Sequence, residues 1–76
     1  HHSVTICLVT STLVDAPLFR IPIRPLKRNG LAVNSHVMVD KVQTARRDCV
    51  KKVIGSASQA EMVAVDIALR AWLALD

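Results

Sequence analysis

The pattern of apolar and polar positions divides the chain into a few short segments. Residues 4–10, Val4-Thr5-Ile6-Cys7-Leu8-Val9-Thr10, form an almost unbroken apolar run. A strand of this composition is buried on both faces and belongs in the middle of a sheet, with neighbours on both sides. Thr10-Ser11-Thr12 closes it with three hydroxyls, and Asp15-Ala16-Pro17 turns the chain. From Leu18 to Arg24 the pattern alternates, with Phe19, Ile21 and Ile23 on one side and Leu18, Arg20, Pro22 and Arg24 on the other. A period of two predicts a half-buried strand with a basic outer face. Pro22 offers no N–H to a ladder, which puts this strand at an edge or beside a bulge. Pro25 ends it. Lys27-Arg28-Asn29-Gly30 reads as a loop, its Asn-Gly pair suited to positive φ.

The stretch that organises the rest is Val37-Met38-Val39-Asp40-Lys41-Val42-Gln43-Thr44. Its β-branched and apolar residues, preceded by Asn34-Ser35, predict a third strand. Asp40 lies inside it, and a carboxylate in an apolar strand is costly unless it is paired or faces water. Residues 45–50, with Arg46 and Arg47, read as an exposed turn, and residues 51–54 as a short strand stopped by Gly55. Ser58-Gln59-Ala60-Glu61 is a capping-box signature. The helix it opens runs over residues 59–74. Met62, Val65, Leu69, Trp72 and Leu73 recur on one face, Ala64, Ile67, Ala71 and Leu75 leave the other sides apolar, and Asp66 and Arg70 are spaced for an i,i+4 pair. A helix apolar on more than one side is wedged into a core or held against another subunit, so a homodimer is expected.

Composition sharpens this picture. With 76 residues the chain is one small domain, residues 1–76, and buries only about 60% of its unfolded surface. His1-His2 is either native sequence or the remnant of a tag. The aromatic residues are Phe19 and Trp72, so the core must be aliphatic or completed from elsewhere. Charge is concentrated in residues 20–52, which hold nine of the ten Lys and Arg against Asp40 and Asp48, a net of +7. That basic middle suits a polyanion or an acidic partner, and is equally what a solvated surface would show. Cys7 and Cys49 make no metal pattern and read as buried, reduced thiols of a reducing compartment. No signal peptide is seen, and no apolar run reaches the roughly 18 residues of a membrane span.

No nucleotide loop, zinc pattern or nucleophile elbow stands out, and His36 stands alone, without metal-ligand company. Three constellations remain. The hydroxyls of Thr10, Ser11 and Thr12 could hold a phosphate or simply close a strand. Asp40 could serve as an acid or base, contact RNA, or form an ion pair with a nearby Lys or Arg. Arg20 and Arg24, with Lys27, Arg28, Arg46 and Arg47, could line a phosphate-binding groove or remain solvated.

The order of these motifs resembles the MazF/PemK family of toxin ribonucleases. Val4-Thr5-Ile6-Cys7 through Thr10-Ser11-Thr12, Asp15-Ala16-Pro17-Leu18-Phe19-Arg20-Ile21-Pro22, Arg28-Asn29-Gly30-Leu31, Val37-Met38-Val39-Asp40-Lys41-Val42, Thr44, Ile54-Gly55 and Ser58 carry the match over nearly the whole chain. The resemblance implies a mainly β fold with a C-terminal helix, an SH3-like small barrel (MazF/PemK/CcdB-like), usually a homodimer. It implies metal-independent, cofactor-free, sequence-specific cleavage of single-stranded mRNA in the cytoplasm, inhibited by a cognate antitoxin. Thr10 matches the family's catalytic hydroxyl. Asp40 matches a position some members use for catalysis or RNA contact, while Met38 and Gln43 stand where some relatives carry basic residues. On this reading Thr10 and Asp40 are the catalytic candidates. Ser11, Thr12, Arg20, Arg24, Lys27, Arg28, Lys41 and Gln43 are the RNA-binding ones. The family also has an N-terminal segment whose Arg-Pro motif supplies its main catalytic arginine. The chain begins at the strand that follows, so the barrel is expected to be incomplete and the chain alone to cleave little. The alternatives are a non-catalytic nucleic-acid-binding module and a protein-interaction domain that pairs with an antitoxin.

Overall fold

A computed structural model describes residues 2–15 and 19–74. The turn read at Ala16-Pro17, the outer-face position Leu18 and the helix residue Leu75 lie outside them. Strands β1 (Ser3–Thr10), β2 (Arg20–Ile23) and β3 (Ser35–Arg46) precede a single 3-10 turn, Arg47–Cys49, and helix α1 (Gln59–Leu73). The sheet is antiparallel with the order β1-β3-β2.

β3 takes the centre because its 12 residues are long enough to serve both neighbours. β2 pairs with its first part, from Ser35 to Met38, and β1 with both of its ends. β3 is two residues longer at each end than its alternation predicts. β2 is the edge strand that Pro22 requires. Among the described residues β1 has β3 on one side only, and Leu8 and Val9 are 39% and 50% exposed, the open sheet expected of an incomplete barrel. The long central strand, not the most apolar one, fixes the sheet order.

The register carries one irregularity that matters for function. Ile6 faces Gln43 and Leu8 faces Met38, so Cys7 alone spans Val39 to Val42 on β3. Four residues of β3 thus stand against one of β1, a larger irregularity than the usual two-against-one β-bulge, and it includes Asp40. Val37 and Val42 both line the same apolar cavity, which shows the alternation of β3 shifting face across the bulge.

Helix α1 packs on one face of the sheet. Ile23, Val37, Val39 and Ala68 are buried together, with Phe19, Ile21, Val65 and Leu69 against them. Phe19 meets Trp72 edge to face, with ring centroids 4.9 Å apart. The small Ala68, rather than a larger apolar residue, is the most buried position of the helix, while Met62, Ile67, Trp72 and Leu73 remain exposed. The capping box forms as read: the Ser58 hydroxyl accepts from Glu61 N at 3.1 Å, and the Glu61 carboxylate accepts from Ser58 N at 2.7 Å. Asp66 and Arg70 form their i,i+4 pair at 3.1 Å. Between sheet and helix a cavity of about 420 Å³ remains, walled by Cys7, Val37, Val42, Met62 and Val65. Both cysteines are free. Burial pushes the half-buried Cys7 thiol above its ordinary range, whereas Cys49 is exposed, contrary to its reading as a buried residue.

Residues 51–54 are not a strand. The nearest backbone to this stretch belongs to a turn, and a turn offers no ladder: Ser56 N donates to Arg28 O at 3.0 Å, and Val53 is 81% exposed. What binds this stretch to the rest is close backbone contact. Gly30, at φ +69°, and Gly55 lie where an added Cβ would fall well inside 3.0 Å of Ile54 O and Arg28 O respectively. Asn29 holds the other side of the loop. It is buried; its Oδ1 accepts from Leu26 N and Leu31 N, both at 3.0 Å, and its Nδ2 donates to Arg24 O at 2.8 Å. Asn29 therefore does more than permit a turn: its side chain replaces backbone partners that the loop lacks.

Candidate functional site

Directly opposed residues of an antiparallel pair share a face. Ile21, Ile23, Val37 and Val39 face α1, so the alternate positions form the opposite, open face. Two cross-strand rows lie there. Thr10, His36 and Pro22 make one, and Leu8, Met38 and Arg20 the other. Asp40 continues the face along β3.

Thr10 ends β1 at the rim of this surface. Its Oγ1 accepts from Thr12 N at 3.0 Å, an ST-type turn that occupies one lone pair of the hydroxyl. That bond leaves the hydroxyl proton and a second lone pair free for a ligand. Ser11 and Thr12 are exposed beside it.

Arg20 and Asp40 form a partly buried ion pair, with side chains 15% and 23% exposed. Arg20 Nη2 donates to Asp40 Oδ2 at 3.2 Å. Arg20 Nε lies 3.0 Å from Oδ1, but this is a charge contact and not an aligned hydrogen bond, since Oδ1 is enclosed with no hydrogen-bond partner. The carboxylate in the central strand thus meets its cost by pairing. Removing one partner strands the other: Arg20→Met is expected to destabilise the fold by roughly 2 kcal/mol, between the values for exposed and buried pairs. Adding Asp40→Asn should recover part of it. Urea unfolding of the two single variants and the double variant checks this, and strictly additive losses would show that the pair contributes nothing.

The other candidates are distributed unevenly. Arg24, Lys27 and Arg28 are exposed on the loop that follows β2, which Asn29 and the two glycines fix; the row of Thr10, His36 and Pro22 is the upper row of the face. Lys41 is exposed in the bulge. Gln43 faces Ile6, four residues along β1 from Thr10, or about 13 Å at strand rise. Asp40 is likewise four residues along β3 from His36, about 13 Å from the Thr10 row. The structure therefore groups Thr10, Ser11 and Thr12 at one end of the face, and separates both Asp40 and Gln43 from them. Arg46 pairs with Asp48 at the other end of β3.

The residue that the linear sequence undervalues is His36. It sits between Thr10 and Pro22 in the upper row, and its Nδ1 is enclosed with no hydrogen-bond partner. Its alternation with Met38 and Asp40 could have placed it on the outer face. Its apposition to Thr10 depends on register, which the bulge makes unreadable from sequence.

No group of three His, Cys, Asp or Glu side chains among the described residues is arranged to hold a metal ion. No helix among them is long and apolar enough to cross a membrane.

Comparison with known proteins places this architecture. Residues 1–73 match the family described as PemK-like, MazF-like toxin of type II toxin-antitoxin system. The chain is 38% identical over 73 residues to a probable endoribonuclease MazF of Mycolicibacterium smegmatis, an alignment covering 96% of this chain and 67% of that protein. Among solved structures it superposes on the Mycobacterium tuberculosis toxin MazF-mt6 with a TM-score of 0.86 at 25% identity, over 100% of this chain and 74% of that one. A second solved chain, described as an Mtb toxin, gives 0.81 at 25% identity over 95% and 76%. The antiparallel sheet with its C-terminal helix is thus the fold of MazF toxins, here with an open sheet, and the chain belongs to the PemK-like, MazF-like toxins of type II toxin–antitoxin systems.

Proposed function

We propose that this chain binds single-stranded RNA across the open face of its sheet and places a scissile phosphate at Thr10. The observation that carries this reading is the Thr10 hydroxyl, anchored by Thr12 N at the end of the open face, with exposed Arg24, Lys27 and Arg28 on the loop that follows β2. In the reaction the ribose 2′-oxygen attacks the adjacent phosphorus and the bond to the 5′-oxygen breaks. The 2′-OH gives up its proton, the departing 5′-oxygen takes one, and negative charge builds on the non-bridging oxygens. Thr10 donates to one of those oxygens. The basic loop holds the flanking backbone, and the chemistry calls for no metal.

Asp40 has a positioning role on this reading. It fixes Arg20 and the bulge rather than moving a proton. Because Asp40 also engages the guanidinium of Arg20, the open face lacks a free cation beside Thr10 among its strand residues, and this chain alone should bind RNA better than it cuts it.

Cation–phosphate contacts release counterions, so affinity should fall steeply with salt. The test is fluorescence anisotropy of a labelled single-stranded oligonucleotide at two salt concentrations, with a duplex as control. Affinity that is unaffected by salt, or a preference for duplex, would remove the reading.

The same surfaces suggest the partners. Exposed Met62, Ile67, Trp72 and Leu73 on α1 favour a homodimer. A cognate antitoxin laid over the basic face would block RNA in a cytoplasmic toxin–antitoxin pair. Light scattering should report a dimer, and a monomer persisting at high concentration would contradict the helix assignment.

A further inference from the structure

A polar atom enclosed without a partner lowers stability, and each such group calls for a reason. His36 Nδ1 is one of two among the described residues, and the other, Asp40 Oδ1, is answered by the charge of Arg20. Among the described residues no group answers His36 Nδ1. An apolar side chain at this half-buried position of the central strand would pack without the penalty. The imidazole is therefore retained at a cost to the fold, in a strand otherwise built for packing.

Its place indicates what it serves. His36 is directly opposite Thr10 on β1 and directly opposite Pro22 on β2, so it occupies the middle of the upper row on the open face. Its second ring nitrogen, Nε2, is not enclosed as Nδ1 is. Directly opposed side chains in an antiparallel pair stand about 4.5–5.5 Å apart at Cβ, within reach of one phosphate group. Thr10 has one hydroxyl proton to give, and a phosphodiester presents two non-bridging oxygens. No side chain of β2 competes for this position, because Pro22 has no polar group, and Arg20 in the next row is held by Asp40.

We infer that His36 is a further RNA-contacting residue of the site, its Nε2 directed at the phosphate that Thr10 engages. The inference rests on the reading that RNA lies on the open face, and extends it to a residue with no assigned role. A neutral imidazole donates through Nε2–H when Nδ1 carries the lone pair, so one ring orientation suffices. Thr10 and His36 then hold the two non-bridging oxygens from neighbouring strands.

The test uses the full chain and an all-2′-deoxy single-stranded oligonucleotide, which binds but cannot be cleaved. His36→Phe keeps the ring and removes both nitrogens. It should weaken binding by about tenfold, the loss of one hydrogen bond to a charged oxygen, while leaving the melting temperature equal or higher. His36→Gln restores an N–H donor at similar reach and should keep most of the affinity. Thr10→Val should also weaken binding, and the double variant should lose less than the product of the two single losses, because both contact one phosphate. Wild-type affinity in His36→Phe alongside weakened Thr10→Val would overturn the inference and leave the open-face reading standing. If neither variant is weakened, or the wild type does not bind, the open-face reading itself fails and the inference with it. A fall in both melting temperature and affinity in both His36 variants would make the residue structural and likewise overturn the inference.

Discussion

Replacing Thr10 by Val is expected to slow metal-free RNA cleavage about a hundredfold, the range for losing one donor to a charge that develops in the transition state. The side chains are nearly isosteric, and Thr10 sits at the end of β1, so packing is preserved. What disappears is the hydroxyl that Thr12 N holds in orientation. Thr12 N is exposed and can turn to water, so the fold loses little. Thr10→Ser keeps the donor and should retain most of the rate. Because the chain alone is expected to be slow, the rate should be measured in single turnover with protein in excess and a chelator present. A Val variant that cuts at the wild-type rate would take Thr10 out of the site.

Gly30→Ala and Gly55→Ala are expected to unfold the domain or nearly so. Each new methyl would be driven into backbone of the facing segment, not into a side chain that can rotate away. At Gly30 the positive φ adds strain of about 1 kcal/mol or more for an alanine. A loss of roughly 4 kcal/mol is expected at either position, in the range reserved for backbone clashes and core damage. A domain of this size has only about 4–11 kcal/mol in all. Residues 26–30 and 54–56 would separate, and Arg24, Lys27 and Arg28 would lose their fixed place, so RNA affinity should fall with stability. Urea unfolding checks the first effect. A variant with wild-type stability would mean that the two segments do not meet as described.

The sequence made some of this legible and concealed the rest for definite reasons. Local signals translated directly: the capping box at Ser58 and Glu61, the alternation of residues 19–24, the edge position forced by Pro22, the positive φ of Gly30 and the Asp66–Arg70 pair. Each depends on neighbours within a few residues. β1 meets one neighbour among the described residues, and its exposed Leu8 and Val9 belong to the open sheet that an incomplete barrel implies. Residues 51–54 failed because β-branched composition describes a preference, while a strand also needs a partner strand. That Asp40 pairs with Arg20 was not legible, because the partner lies across the β2–β3 pair. His36 was passed over because its meaning lies in the residue opposite it. Register beyond a bulge of this width cannot be counted from either end.

The claim on which the rest depends is that RNA lies on the open face and not against the helix side. The most direct measurement is two-dimensional NMR of the labelled chain, titrated with a single-stranded all-2′-deoxy oligonucleotide. We expect shifts concentrated at Thr10, Ser11, Arg24, Lys27, Arg28 and His36, with Val37, Val39, Val65 and Leu69 unmoved. Shifts centred on the cavity lined by Val37, Val65 and Leu69, with Thr10 and His36 silent, would contradict it.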